Sequence, residues 1–238
     1  LEEEFYLPQG AAILATTQHR LREKEAIQKA GVPLAPYAAV SSLADLRQAV
    51  ERLGLPAVLK TARGGYDGKG QYVLRKAEEL SQAFAALKPL CEELVLERFV
   101  PFVKEISVVA ARSPSGEVAT FPVAENLHQE NILRLSIAPA RISPALQRQA
   151  QEIARSLVES LEVVGLLAVE MFVTAEEKIY VNELAPRPHN SGHYTQEACV
   201  TSQFEQHVRA VCNLPLGSTE LLTPVVMLNL LGDEVREA

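Results

Sequence analysis

The chain has 238 residues, 47% of them hydrophobic and 22% charged, enough apolar material for a buried core without disulfide or metal staples. That balance excludes disorder across the chain, and no apolar run approaches the roughly 18 residues that a membrane helix needs. With 23 Lys plus Arg against 30 Asp plus Glu, the net charge of −7 leaves no basic surplus for nonspecific nucleic-acid binding.

In chain order, the first expected helix runs from Gln18 to Ala30, with Thr17 as N-cap, Gly31 as the stop and Pro33 just beyond. A second covers Leu43–Leu53, where Ser42 and Asp45 form a capping box and Gly54 and Pro56 end the helix. Ala57–Thr61 and Gln71–Leu74 read as strands separated by a glycine-rich loop. A helix over Ala77–Leu87 and a strand over Leu94–Arg98 follow. Glu105–Arg112 and Glu117–Ala124 flank the turn sequence Ser113-Pro-Ser-Gly116, and Ile132–Pro139 is a further strand. The longest helix spans Ser143–Leu161, with Pro144 in its first turn. Val163–Val173 and Lys178–Leu184 form a hairpin. A proline-containing loop, a helix near Gln203–Cys212 and a strand from Val225 complete the pattern. Helices and strands mix without regular βα alternation, so the fold class is α+β. Cys91, Cys199 and Cys212 are an odd set with no CxxC pair, which fits a reduced, cytoplasmic compartment.

Three stretches carry chemistry. Lys60 ends an apolar strand, where a lysine is costly unless an anion meets it. Four glycines lie in the next Gly64–Gly70 stretch, and glycine lets backbone N–H groups crowd around a phosphate. The alternative is an ordinary hairpin loop, since Asp67-Gly68 is a common turn pair. Neither the Walker A pattern nor GxGxxG fits. Glu170 and Glu183 lie within otherwise apolar strands. If the hairpin turns at Glu176-Glu177, facing residues sum to 353, and these two carboxylates oppose each other. Paired carboxylates that close suit Mg²⁺ shared with phosphate oxygens; the alternative is two edge carboxylates in water. Finally, in Ala185–Thr195, Arg187, His189, Asn190 and His193 offer donors to an anionic ligand, against the alternative of a capped surface loop. Zinc on His189 and His193 lacks a cysteine pair or a third ligand nearby.

Lys60, GGYDGKGQ, ENLHQENILRLSIAPA (Glu125–Ala140) and VNELAPRPHNSGHYTQEACVTSQFEQHVRA (Val181–Ala210) together resemble ATP-grasp ligases. Within that superfamily, RPHNSGH followed by TSQFEQH is similar to the N5-carboxyaminoimidazole ribonucleotide synthetase family of purine biosynthesis. The resemblance implies two α+β subdomains with ATP between them. It divides the chain into 1–32 (connection and first helix), 33–98 (lid) and 99–238 (large subdomain). It implies ATP-dependent carboxylation of 5-aminoimidazole ribonucleotide by bicarbonate through carboxyphosphate, with Mg²⁺ as cofactor. The implied ATP contacts are Arg20, Lys60, Gly65, Tyr66, Asp67, Gly68, Lys69, Gly70, Gln71, Glu97, Arg98, Phe99, Val100, Glu105, His128, Asn182 and Glu183. The implied metal ligands are Glu170 and Glu183. Tyr66, Asp67, Lys69, Arg187, His189 and Asn190 fall at substrate positions, with Arg187, His189 and Asn190 at the carboxylation step. Arg187 suits bidentate contact with bicarbonate or carboxyphosphate, and His189 suits a proton-handling role. The family is often dimeric, which makes a homodimer its implication for assembly. Competing readings are another bicarbonate-using ATP-grasp ligase such as a biotin carboxylase, or a nucleotide-binding module without turnover. The start at Leu1 without Met and the stop at Ala238 raise the expectation of a piece of a longer enzyme.

Overall fold

The structure is a computed structural model that describes residue 4 and residues 7–65 and 68–232. Helices α1 (Ala12–Thr17) and α2 (Arg20–Lys29) lead into β1 (Tyr37–Val40), α3 (Leu43–Leu53), β2 (Ala57–Thr61), β3 (Gln71–Leu74), α4 (Leu80–Leu87) and β4 (Leu94–Arg98). Strands β5 (Phe102–Arg112), β6 (Val118–Thr120), β7 (Ala124–Gln129) and β8 (Ile132–Ala138) precede α5 (Pro144–Ser160). Then come β9 (Gly165–Thr174), β10 (Ile179–Ala185), α6 (Thr195–Ala198), α7 (Gln203–Val211) and β11 (Val225–Leu228).

The strands form two antiparallel sheets. The small one has the order β1-β4-β2-β3. Helix α3 starts on a capping box: Ser42 Oγ accepts the Asp45 N–H at 3.1 Å, and Asp45 Oδ2 accepts the Ser42 N–H at 2.9 Å. Its apolar stripe and that of α4 cover one sheet face, burying Leu46, Ala49, Leu59, Leu74, Ala83 and Leu96 together. Full burial of each leucine stabilises the sheet by roughly 1.5–3 kcal/mol. The alternation of β2 leaves Val58 and Lys60 on the opposite, less buried face.

The large sheet runs β10-β9-β5-β7-β8-β11, with β6 also on β5. Helix α5 lies on one face. Leu146, Ala150, Ile153, Ala154, Leu157 and Val158 recur at helical spacing and pack on Val108, Leu167 and Val169. On the other face, the β5–β9 end is apolar, where Val109, Ala111, Leu166 and Ala168 meet Tyr194, Ala198 and Cys199. Further along, the same face turns polar, and the candidate site lies there.

Three expectations are corrected. The helix expected over Gln18–Ala30 is α2, but Thr17 does not cap it: Thr17 ends a separate helix, α1, and donates to the Ile13 carbonyl at 2.9 Å. His19 is the extended residue before α2, and its Nε2 reaches Glu93 Oε2 at 2.8 Å. The expected Glu117–Ala124 strand shortens to β6, and β7 begins only where it was expected to end, because Pro122 between them has no N–H for the ladder. The segment Ala77–Glu79 is a 3₁₀ turn ahead of α4. Strand β1 went unread, being a four-residue edge whose identity depends on β4.

Candidate functional site

A cavity of about 760 Å³ lies between the polar faces of the two sheets. The small sheet contributes Lys60, Gln71, Glu97 and Arg98, followed just past β4 by Phe99 and Val100. The loop after β2 contributes Gly65, Gly68 and Lys69. The large sheet contributes Glu105, His128, Glu170, Asn182 and Glu183, with Arg187, His189 and Asn190 following β10, and α2 supplies Arg20. These residues come from sequence positions over 160 apart, yet they line one space. Gly70 stands just behind it, packed on Thr61: a Cβ there would sit 2.7 Å from Thr61 Oγ1, at a φ of +73°. Tyr66 and Asp67 lie outside the described residues.

On the small-sheet side the charges are buried, with one carboxylate shared by two ammonium groups. Glu97 Oε2 lies 3.2 Å from Lys60 Nζ and 3.1 Å from Lys24 Nζ. The Lys24 side chain is 1% exposed. Burial alone would favour the neutral acid, but the two ammonium groups overcome it and hold the Glu97 carboxyl down at about 2. Burial lowers the Lys60 pKa, with Glu97 opposing. Glu97 Oε1 is buried without a partner and so has capacity to accept from a ligand donor. Neither Lys24 nor Glu23 figured in the sequence reading. Glu23 accepts the Leu184 N–H at 2.6 Å, next to Glu183, and burial pushes its carboxyl up to about 8.

On the large-sheet side the carboxylates are more open. Glu170 and Glu183 are direct cross-strand partners, as the sequence reading required. The route differs. The turn is a three-residue loop in which Glu177 has φ +58°, so Val181 faces Met171 and pairs sum to 352. A bulge at Asn182 then shifts the register by one and brings Glu183 opposite Glu170. Each carboxylate has a side-chain partner: Arg20 Nη1 lies 3.2 Å from Glu183 Oε2, and His189 Nε2 lies 2.9 Å from Glu170 Oε1. His128 Nδ1 is 3.2 Å from Glu105 Oε1. Burial opposes protonation of His128, but Glu105 and the other nearby carboxylates outweigh it and raise its pKa.

The donor set fits a magnesium ion shared with phosphates. Two opposed carboxylates with the unpartnered buried Asn182 Oδ1 beside them supply oxygen ligands, and Mg²⁺ commonly takes only one or two carboxylates plus phosphate and water. Among the described residues no group of three or more His, Cys, Asp and Glu is placed to hold a metal unaided. His193 stacks on Phe204, with centroids 5.7 Å apart. One further feature escaped the sequence: Phe102 and Phe172 stack at 4.4 Å and 9°, and with Val58, Val73 and Leu133 they give the cavity an apolar wall. Only the long-range pairing of β5 with β9 brings those two rings together.

A second cavity of about 410 Å³ abuts the first and shares Arg20, Gly65, Glu183, Arg187 and His189 with it. Arg63 and Gln18 line its other side.

Two facing sheets with a lysine and a glycine loop on one and paired carboxylates on the other make a cleft with the charges that an anionic ligand and a divalent cation would need. The ATP-grasp domain model matches residues 25–204, and the chain belongs to that family. An N5-carboxyaminoimidazole ribonucleotide synthase of Bacillus subtilis (strain 168) is 55% identical over 236 residues, covering 99% of this chain and 62% of the relative. An N5-carboxyaminoimidazole ribonucleotide synthetase solved as its ADP complex superposes with a TM-score of 0.95 at 56% identity, over 99% of this chain and 62% of that one. The Aspergillus clavatus synthase, solved with ADP and 5-aminoimidazole ribonucleotide, gives 0.89 at 33% identity, over 97% and 60%. The chain therefore spans about three fifths of the length of these relatives.

Proposed function

We propose that this chain carries the nucleotide and carboxyl-activation machinery for ATP-dependent carboxylation of 5-aminoimidazole ribonucleotide by bicarbonate. The products are N5-carboxyaminoimidazole ribonucleotide, ADP and phosphate. The observation that carries the reading is the shared wall: Arg20, Glu183, Arg187 and His189 face both the nucleotide cavity and the smaller one. A phosphoryl group arriving from one side meets an acceptor from the other at that wall. The 55% identity over 99% of the chain supports the same assignment.

The roles follow from charge and position. The Phe102–Phe172 wall suits the adenine face, and Glu97 and the backbone after it suit its polar edge. Lys60 and the amides of Gly65 and Gly68–Gln71 face the phosphates. Phosphoryl transfer needs alignment and charge neutralisation more than covalent help. Glu170 and Glu183, with Asn182, would hold Mg²⁺, which supplies charge neutralisation on the phosphates when bound. A bicarbonate oxygen attacks the γ-phosphorus, the bond to the β-phosphate oxygen breaks, and ADP leaves with the electron pair. The substrate amine then bonds to the carboxyl carbon of carboxyphosphate as phosphate leaves, and the nitrogen loses a proton. Arg187 offers a fork to the carboxyl oxygens, and His189 and Asn190 offer short donors beside it.

The test is calorimetric and kinetic. Mg-ATP should bind the chain, slowing hydrogen exchange at Gly65 and Gly68–Gln71. ATP consumption should depend on bicarbonate and on 5-aminoimidazole ribonucleotide together. ATP consumption stimulated by bicarbonate plus biotin instead would move the chain to a different carboxylase. Among the described residues no helix is long and apolar enough to cross a membrane. A cytoplasmic location and a homodimer belong to the same proposal, the latter checked by sedimentation.

A further inference from the structure

A row of short polar side chains runs beneath the site through an otherwise apolar layer. Ser136 Oγ donates to Asn126 Oδ1 at 2.9 Å, and Asn126 Nδ2 donates to Ser107 Oγ at 2.9 Å. Ser107 Oγ donates to Ser191 Oγ at 2.7 Å, and Ser191 Oγ lies 2.8 Å from His189 Nδ1. His189 Nε2 completes the row at Glu170, 2.9 Å away. Ser136, Asn126, Ser107 and Ser191 are all 5% exposed or less. Water does not compete there, and such groups are costly unless every member is satisfied.

The row has one consistent direction. A hydroxyl carries a single proton, so Ser107, which accepts from the Asn126 amide, passes its own proton to Ser191. Ser191 then has its proton left for His189 Nδ1. The Ser191 backbone N–H also points at Nδ1, at 3.3 Å, and a backbone N–H can only donate. Two donors converge on Nδ1, so Nδ1 is an acceptor and the ring proton lies on Nε2. The backbone of His189 is fixed as well. The buried Gln203 amide accepts the His189 N–H at 2.9 Å and donates to the His189 carbonyl at 2.8 Å.

We propose that Ser107, Asn126 and Ser191 are positioning residues that hold His189 in the Nε2–H tautomer, so that it meets an anionic oxygen in the site as a hydrogen-bond donor. This rests on the proposed carboxylation reading for what that oxygen belongs to. The tautomer itself does not. Neutral imidazole in water would otherwise divide between tautomers, and outer partners of this kind fix which nitrogen presents its proton.

The test reads the tautomer directly. Nitrogen NMR on the chain with isotope-labelled histidine should show His189 with an unprotonated Nδ1 and a protonated Nε2, assigned by the signal lost in His189→Asn. Ser107→Ala and Ser191→Ala should shift this signal toward a tautomer mixture, while Ser107→Thr keeps the parent pattern. In the two alanine variants the carboxylation kcat should fall about tenfold, as for other outer partners of a site histidine. Mg-ATP affinity and the far-ultraviolet spectrum should stay unchanged. A proton on Nδ1 in the parent overturns the proposal, as does parent-like tautomer and turnover in both alanine variants. If the parent chain binds no Mg-ATP, the carboxylation reading fails, and the NMR result still decides the relay.

Discussion

The two sheets handle charge in opposite ways. On the small-sheet side, Lys24 of α2 joins Lys60 and Glu97 in a buried set whose side chains are 1%, 12% and 7% exposed. In the large sheet, Glu170 and Glu183 are 18% and 40% exposed, each paired with one side chain reached from another element. Taking charges out of water is expensive, so a buried set must stay paired, whereas a half-open pair exchanges partners at little cost. The small sheet is thus built around a permanent charge cluster, and the large sheet presents carboxylates whose present partners can give way to a ligand's.

The largest expected effect on stability at neutral pH separates the two directly. Lys24→Met takes one of two ammonium partners from Glu97 while Lys60 remains, and losing a hydrogen bond to a buried charge costs roughly 1.5–3 kcal/mol. Urea unfolding should show a loss of that size, and an effect under about 1 kcal/mol would mean the cluster is no more than a surface pair. Next is pH. The Glu97 carboxyl sits near 2 in the folded chain, below its ordinary value of 4.5. Its contribution is therefore complete above about 4.5 and is lost as pH falls toward 2, roughly 3 kcal/mol in all. Acid titration of urea stability should show that loss in the parent and a flatter profile in Glu97→Gln, which is less stable at neutral pH. Glu183→Gln should do the reverse of Lys24→Met. Stability should change by less than about 1 kcal/mol, while ATP turnover falls on the order of 100-fold. Opposite in sign is Glu23, whose folded value near 8 lies above 4.5. Its carboxyl favours folding most when protonated, so the benefit is full below about 4.5 and fades as pH rises through 8. Glu23→Gln, which cannot ionise, should therefore gain on the parent in urea unfolding as pH rises between those limits, and a parent-like pH profile would count against the shift.

Much of this was legible in the sequence, because local rules governed it. Ser42 and Asp45 announce α3, Pro144 opens α5, and the glycine loop and carboxylates stand out against apolar strands. The opposition of Glu170 and Glu183 was read correctly from a two-residue turn that does not exist. The three-residue turn and the Asn182 bulge offset each other, and neither has a local signature in Glu176-Glu177 or Val181-Asn182-Glu183. Glu23 and Lys24 were missed because two adjacent charges in a polar helix normally face water. Their burial is decided by Glu97 and by the Leu184 amide, which only the folded chain brings near. The serine–asparagine row was invisible for a related reason: Ser107, Asn126 and Ser191 are unremarkable singly and gain a role only through pairing across β5 and β7.

The bulge at Asn182 has a consequence for how this strand tolerates change in length. A regular strand shows alternate residues to one side, so it could give the cavity Asn182 or Glu183, but not both. With one extra residue, both line the cavity, while Val181 and Leu184 on either side stay in the core behind it. Deleting Asn182 would remove the bulge and leave Val181, Glu183 and Leu184 in plain core–cavity–core alternation, with Glu183 still opposite Glu170. The hairpin should therefore survive that loss as a fold and give up only the Asn182 oxygen beside the carboxylates, so the added residue serves the cavity and not the sheet.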